Sequence, residues 1–279
     1  MALTREGREL TEAHRVAQVK VRNRVEREVK KQTHLVDLSD ISGSYEWKLN
    51  LLGIVRDGYS DSVNLATDYV PQFAIAETGS AESAVIPEFD ASAVDLTIRA
   101  QGDAAIKKAI GAGVEPQAAL LQAVPSLAGW LGQQAAAGGR LVVTDTVKYS
   151  GKSGRWRRVA GGVACAFCGM LAGRGPVYTA DTVLFRSHKH CGCGAEQVFG
   201  DWQPTELEEQ WRQAYEDAAK SADNAGESRT APAEGSNAED TILWRMRRQH
   251  PELFTDGVPG HELQRSGFEF NDQIKAKLK

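Results

Sequence analysis

The chain is 279 residues long with 42% hydrophobic and 25% charged residues, a globular composition with room for one large or two modest domains. Lys+Arg 33 against Asp+Glu 37 leaves a net charge of −4, so no general excess of basic charge drives the molecule onto nucleic acid or an anionic membrane. No apolar run approaches the roughly 18 residues that span a bilayer, and the opening residues alternate Arg and Glu without an apolar stretch. The expectation is a protein that is not membrane-integral, carries no secretory leader and starts in the cytoplasm.

Residues 4 to 32 place Ala13, Ala17, Val21, Val25 and Val29 four apart among Arg, Lys and Glu, which predicts an amphipathic helix. Its basic residues read as a solvated face. From Tyr45 to Ala76 apolar and aromatic residues recur at three- and four-residue steps, and breaks at Gly58 and Pro71 predict two helices of a bundle. After a polar segment from Thr78 to Pro87, the residues Val94, Ile98, Ala105, Ile106 and Ala109 continue a helical period that stops near Gly111 and Gly113. Pro116 and Pro125 frame a further short helix or two.

At Gly138 and Gly139 the pattern changes. Short β-branched or apolar runs between glycines, Leu141 to Val147, Trp156 to Val159, Pro176 to Thr179 and Ala195 to Phe199, predict hairpins too small to bury a core unaided. Thr205 to Ala222 reads as a helix opened by Pro204 and a capping box of Thr205 with Glu208. Residues 223 to 238 have a linker's composition, Asp240 to His250 a short helix stopped by Pro251, and the end, with Phe268 and Phe270, a tail. The predicted organisation is a helical region over 1–137, a β module over 138–202 and a C-terminal part over 203–279.

All four cysteines fall between Cys165 and Cys193, in the pattern Cys165-x2-Cys168, then His188-x2-Cys191-x-Cys193, with His190 inside it. Two short loops that each offer a pair of Cys/His donors follow the logic of a structural zinc site. The favoured ligands are Cys165, Cys168, His188 and Cys191, with Cys193 the alternative fourth; Gly192 permits the kink that Cys191 and Cys193 need to share an ion. Arg155, Arg157, Arg158, Arg174, Arg186 and Lys189 are near in sequence and expected to offset the thiolate charge. A thioredoxin-like pair lacks its βαβ unit, a zinc deaminase lacks its His-x-Glu, and two disulfides would need an oxidising compartment. A closed site of four protein ligands leaves no open position for water, so the ion stabilises and does not catalyse.

Gly151-Lys152-Ser153 lacks the earlier glycine of a phosphate loop, because position 146 is Thr146. The mixture of Lys148, Tyr149, Lys152, Arg155, Trp156, Arg157 and Arg158 has the composition of a nucleic-acid contact or of a hairpin rim. His14, His34, His250 and His261 sit alone in polar surroundings, and no triad or acid/base pair can be assembled around them. Leu243, Trp244, Met246 and Arg247 form either a docking helix or an ordinary packed one.

The segment from Val163 to Phe199 is more specific. Cys165, Cys168, Met170, Leu171, Ala172, Arg174, Gly175, Pro176, Val177, Tyr178, His188, Cys191 and Cys193 resemble, position by position, the central motif of the Mu F-like minor capsid, or head morphogenesis, proteins of tailed bacteriophages of actinobacteria. Gly173 stands where serine is commoner in that family. The helical residues before it, with Arg56, Tyr59, Leu65, Ala66 and Tyr69, are similar in style. The resemblance implies a non-enzymatic structural protein of the phage head, present in few copies. Its implied partners are the portal, other head proteins and packaged DNA, with no membrane and no small-molecule substrate. Its implied location is the virion, at the head interior or portal vertex, after assembly in the host cytoplasm. The expected fold is α+β: a predominantly helical N-terminal region, a small zinc-stapled β-hairpin module holding one Zn2+, and C-terminal helices with a tail. The runner-up is a zinc-supported DNA-binding module.

Overall fold

The computed structural model describes residues 2–150, 152–162, 164–179, 185, 187–224 and 242–255. It is mostly helical with one two-stranded antiparallel sheet, an α+β chain, and it divides into two compact units. The larger comprises 2–159 and 176–202, the smaller 160–175 and the residues from 203 on.

In the larger unit, helix α1 (Arg5–Lys31) opens at Thr4, whose Oγ1 accepts the Gly7 N–H. Glu77 ties that start down by accepting the Leu3 and Thr4 amides at 2.7 and 3.0 Å. Its buried stripe is Thr11, His14 and Gln18 followed by Val21, Val25 and Val29; Ala13 is exposed, so the first half of the expected apolar stripe is polar. The polar members are satisfied internally. The amide of Gln18 donates to the Ser62 carbonyl and its oxygen accepts from the Ser62 hydroxyl, while His14 stacks on Tyr69 with ring centroids 4.4 Å apart.

The residues expected to form two helices form one, α2 (Tyr45–Thr78), which runs through Gly58 and Pro71. Gly58 is a packing residue: a Cβ there would lie 2.4 Å from Val25 and 3.0 Å from Ala135, so α1 and a third helix close on it. The helix stops at Gly79, whose φ of 76° lets its N–H reach the Ile75 carbonyl. Helix α3 (Ala91–Ile98) passes through a π turn, Arg99–Asp103, into α4 (Ala104–Gly111). Helix α5 (Pro116–Ala135) starts with Pro116 at its first position, capped by Glu115, and continues through Pro125 as a single element. These helices enclose a core around Trp47, Leu51, Ile98, Ile106, Leu120, Leu127 and Leu131.

The β-like run from Leu141 to Val147 is helical. It belongs to α6 (Ala137–Ser150), whose Val142, Val143 and Val147 join a second core with Tyr69, Phe73 and Trp156. Burial on one helix face overrides the β preference of valine. The glycines before it mark close approach: a Cβ on Gly138 or Gly139 would lie 3.0 or 2.9 Å from a carbonyl oxygen of α2. Strand β1 (Arg155–Val159) pairs with β2 (Gly194–Val198), with Arg157 opposite Glu196, matching two of the expected runs. The Pro176–Thr179 run contributes an isolated bridge, Tyr178 to Trp156, whose rings stack at 4.4 Å.

In the smaller unit, α7 (Ala166–Gly173) packs on α8 (Glu206–Asn224), and α9 (Ile242–Gln249) packs on both. The capping box forms as expected: the Glu208 amide donates to Thr205 Oγ1, and the Thr205 amide to the Glu208 carboxylate. Ile242 and Met246 of α9 are buried, so this helix is a packed one, ended before Pro251. Most of 223–238, and the tail with Phe268 and Phe270, lie outside the described residues.

Candidate metal centre

In the smaller unit, Cys165 and Cys168 open α7 rather than a bare turn. Cys165 is the N-cap, and its Sγ accepts the Cys168 N–H at 3.3 Å. That is one turn of helix, so both sulfurs face the same way and lie within 4.8 Å of each other. The positive end of the helix dipole favours sulfur in its thiolate form, the form that binds metals. Gly169 keeps the helix close to its neighbours: a Cβ there would meet Phe254 at 2.9 Å and Trp211 at 3.1 Å.

In the larger unit, the residues from His188 to Cys193 form a tight loop entering β2. The Cys191 amide donates to the His188 carbonyl at 3.2 Å. His188 Nδ1 donates to the Lys189 carbonyl at 2.7 Å, which fixes the tautomer with its lone pair on Nε2. Cys191 and Cys193 are both buried, with sulfurs within 4.8 Å of each other. Two thiolates on one tetrahedral zinc, at about 2.3 Å each, stand about 3.8 Å apart, so each pair fits an ion with little adjustment. No disulfide joins the four cysteines.

This loop is held by side chains that sequence proximity does not reveal. Arg140, 5% exposed on α6, donates from Nε to the Cys193 carbonyl at 3.0 Å, from Nη2 to the Cys191 carbonyl at 3.3 Å, and from Nη1 to Ser187 Oγ at 3.2 Å. From α1, Arg22 reaches the His190 carbonyl at 2.6 Å and Arg15 the Gly192 carbonyl at 3.5 Å, the outer limit of a hydrogen bond. The Arg15 guanidinium is held above its ordinary pKa, first by its hydrogen bond to Glu12 and more weakly by the charge of Cys193.

His190, which lies inside the motif, serves the loop's shape. It takes the left-handed conformation, φ 62°, which an L side chain adopts at a cost of about 1–2 kcal/mol. Its ring lies over Gly129, where a Cβ would come within 2.5 Å, and its Nδ1 meets the Glu26 carboxylate at 3.1 Å.

Three of the basic residues expected around the cysteines have contacts of another kind. Arg157 pairs with Glu196 inside the sheet at 2.5 Å, Arg158 lies 3.9 Å over the Phe185 ring, and Arg174 lies over Tyr215. Arg186 is outside the described residues. Trp156, Arg157 and Arg158 are at most 3% exposed, which removes the centre of the surface required by the DNA-binding alternative. Lys148, Tyr149, Lys152 and Arg155 remain exposed.

Among the isolated histidines, burial pushes His14 down to about 4, and His34 bonds the Lys31 carbonyl. His250 has a carboxylate partner invisible in the sequence, Asp217 at 3.3 Å across α8 and α9. His261 lies outside the described residues. Among the described residues, no helix is long and apolar enough to cross a membrane.

No curated protein and no solved structure matches the chain. A family model described as VG15 protein matches residues 6–218, a span that takes in α1 to α7, both strands, all four cysteines and most of α8. With more than half of its 279 residues inside that match, the chain belongs to the VG15 family of phage proteins.

Proposed function

We propose that this protein is a minor structural component of a tailed-phage head, related to the Mu F-like head morphogenesis proteins, and that it works with the portal and other head proteins during assembly and DNA packaging or delivery. The family match over residues 6–218 is the observation that carries this reading. The specific motif from Cys165 to Cys193 supports the closer relationship. The protein resides in the virion, at the head interior or portal vertex, and in the host cytoplasm before that.

Its Cys/His motif holds one structural Zn2+ through Cys165, Cys168, Cys191 and either Cys193 or His188. Bound there, zinc supplies a fixed tetrahedral cross-link and no catalysis. The chain prepares for it: the α7 N-terminus orients one sulfur pair, and the loop before β2 orients the other. Structural zinc can contribute about 10–16 kcal/mol, enough to tie down segments that the small sheet cannot secure alone.

The test is quantitative mass spectrometry of density-purified, nuclease-treated particles. The reading expects a few copies per particle relative to the major capsid protein, released together with portal when heads are dismantled. Absence from both filled and empty heads would overturn it.

A further inference from the structure

The loop that carries Cys191 and Cys193 is fastened at every carbonyl. Those of His190, Cys191, Gly192 and Cys193 receive N–H groups from Arg22, Arg140, Arg15 and Arg140 in turn. A surface loop ordinarily leaves such carbonyls to water. Here a guanidinium only 5% exposed has been withdrawn from solvent, and three of its hydrogen bonds go to this loop and the serine before it. The donors come from two helices already locked into the larger unit by Gln18, Ser62 and Gly139. The loop's shape is therefore set by the helical scaffold.

We propose that Arg140, assisted by Arg15 and Arg22, is a positioning residue that builds His190–Cys193 into a metal-receiving half-site before any ion arrives, and that Cys191 and Cys193 both bind the metal. The inference rests on the metal reading above and extends it by choosing the fourth ligand. With the loop's backbone held at the His190, Cys191 and Cys193 carbonyls, the two sulfurs leave one short segment and already lie within 4.8 Å of each other. Four thiolates on a divalent ion leave a net charge of about −2, one more negative than a set that includes neutral His188; the buried Arg140 guanidinium faces the loop, while Arg15 and Arg22 share their charge with Glu12 and Glu26. His188, whose Nδ1 donates to the Lys189 carbonyl and whose Nε2 keeps its lone pair, is the donor this choice sets aside.

The experiment uses the full chain, prepared metal-free, with cobalt(II) as the probe and hydrogen exchange as an independent readout. The expected cobalt spectrum is that of a four-thiolate site. His188→Ala leaves spectrum and affinity unchanged, whereas Cys193→Ala lowers the sulfur-to-cobalt charge-transfer intensity by about a quarter. Arg140→Gln weakens cobalt binding about 10–100-fold, the usual effect of losing an outer-shell partner, with helix content intact. Arg140→Lys restores part of the loss, because one ammonium can serve one of the carbonyls. In the metal-free chain the Cys191 amide, bonded to His188, is protected from exchange, and Arg140→Gln abolishes that protection.

A histidine-containing spectrum lost in His188→Ala overturns the ligand choice. Unprotected exchange across 188–193 in the metal-free parent overturns the prebuilt loop. If Arg140→Gln does not fold, Arg22→Gln, which removes the partly buried guanidinium on the His190 carbonyl, takes its place in both arms. If the parent binds no cobalt, the metal reading and the ligand choice fail together, and the exchange arm alone decides the clamp.

Discussion

The pair Arg157–Glu196 offers a sharp test of how the sheet that carries the cysteine loop is stabilised. These residues are Cα partners across β1 and β2, their side chains 4% and 1% exposed, with Arg157 Nε 2.5 Å from Glu196 Oε1. Glu196 Oε2 is buried without a hydrogen-bond partner among the described residues, so the carboxylate leans on Arg157 for its solvation. The same charge, second to burial itself, holds the phenol of Tyr69 well above its usual pKa. Glu196→Ala removes the carboxylate that Arg157 faces inside the sheet, and Arg157→Ala strands the buried carboxylate; removing one partner of such a pair costs about 3–5 kcal/mol. At about 2–4 °C per kcal/mol for a unit of this size, each single variant melts roughly 10 °C lower. Replacing both by apolar residues of similar volume, Arg157→Met with Glu196→Leu, leaves no stranded charge and returns stability to within about 1 kcal/mol of the parent. Thermal and urea unfolding of the single and double variants closes the cycle. If the double variant is as unstable as either single one, or if the singles cost less than about 1 kcal/mol, the account of the sheet as an ion-paired interior is wrong.

Acid sensitivity follows from His14, whose pKa burial lowers from 6.5 to about 4. Between those values the unfolded chain binds a proton that the folded chain refuses. The penalty is absent above about pH 6.5, grows as pH falls and reaches about 3 kcal/mol near pH 4; in His14→Phe, which keeps the stacking on Tyr69, the stability difference between pH 7 and pH 4 shrinks by that amount. In the smaller unit, Gly173→Ala places a Cβ 3.0 Å from the Arg212 amide and 3.1 Å from the Glu208 carbonyl, both backbone atoms. The two helices must part, and proteolysis between 203 and 224 accelerates; an unchanged digest refutes the close packing of α7 on α8. Thr205→Ala removes one arm of the capping box and lowers stability by about 1 kcal/mol, read by urea unfolding, while Thr205→Ser restores it.

Much of the fold was legible where local chemistry has one meaning. Thr205 with Glu208, Pro116 at a helix start and the short runs at Trp156 and Ala195 each mark their element without outside help. Glycine and proline misled where their meaning depends on distant partners. Gly58, Gly138 and Gly139 look like breaks in sequence, yet each lets another element approach where a Cβ would collide. Pro71 and Pro125 lie inside continuous helices whose burial outweighs the lost hydrogen bonds. The valines of α6 look β-forming until the core of α2 is there to receive them.

The cysteine motif showed the same limit. Spacing identified the donors, but the arginines that hold the loop come from positions 15, 22 and 140, and no local pattern ties them to Cys191 or Cys193. Arg157 and Arg158, a few residues before Cys165, meet Glu196 and Phe185.

The central claim about the site is that the motif from Cys165 to Cys193 is a metal centre. Elemental analysis of the full chain, purified without chelator and paired with a thiol count under denaturing conditions, tests it most directly. A metal centre gives one zinc per chain, four titratable thiols only after the metal is released, and loss of the zinc in Cys168→Ser. A metal-free chain whose cysteines are joined in disulfides, or one whose zinc survives Cys168→Ser, would contradict it.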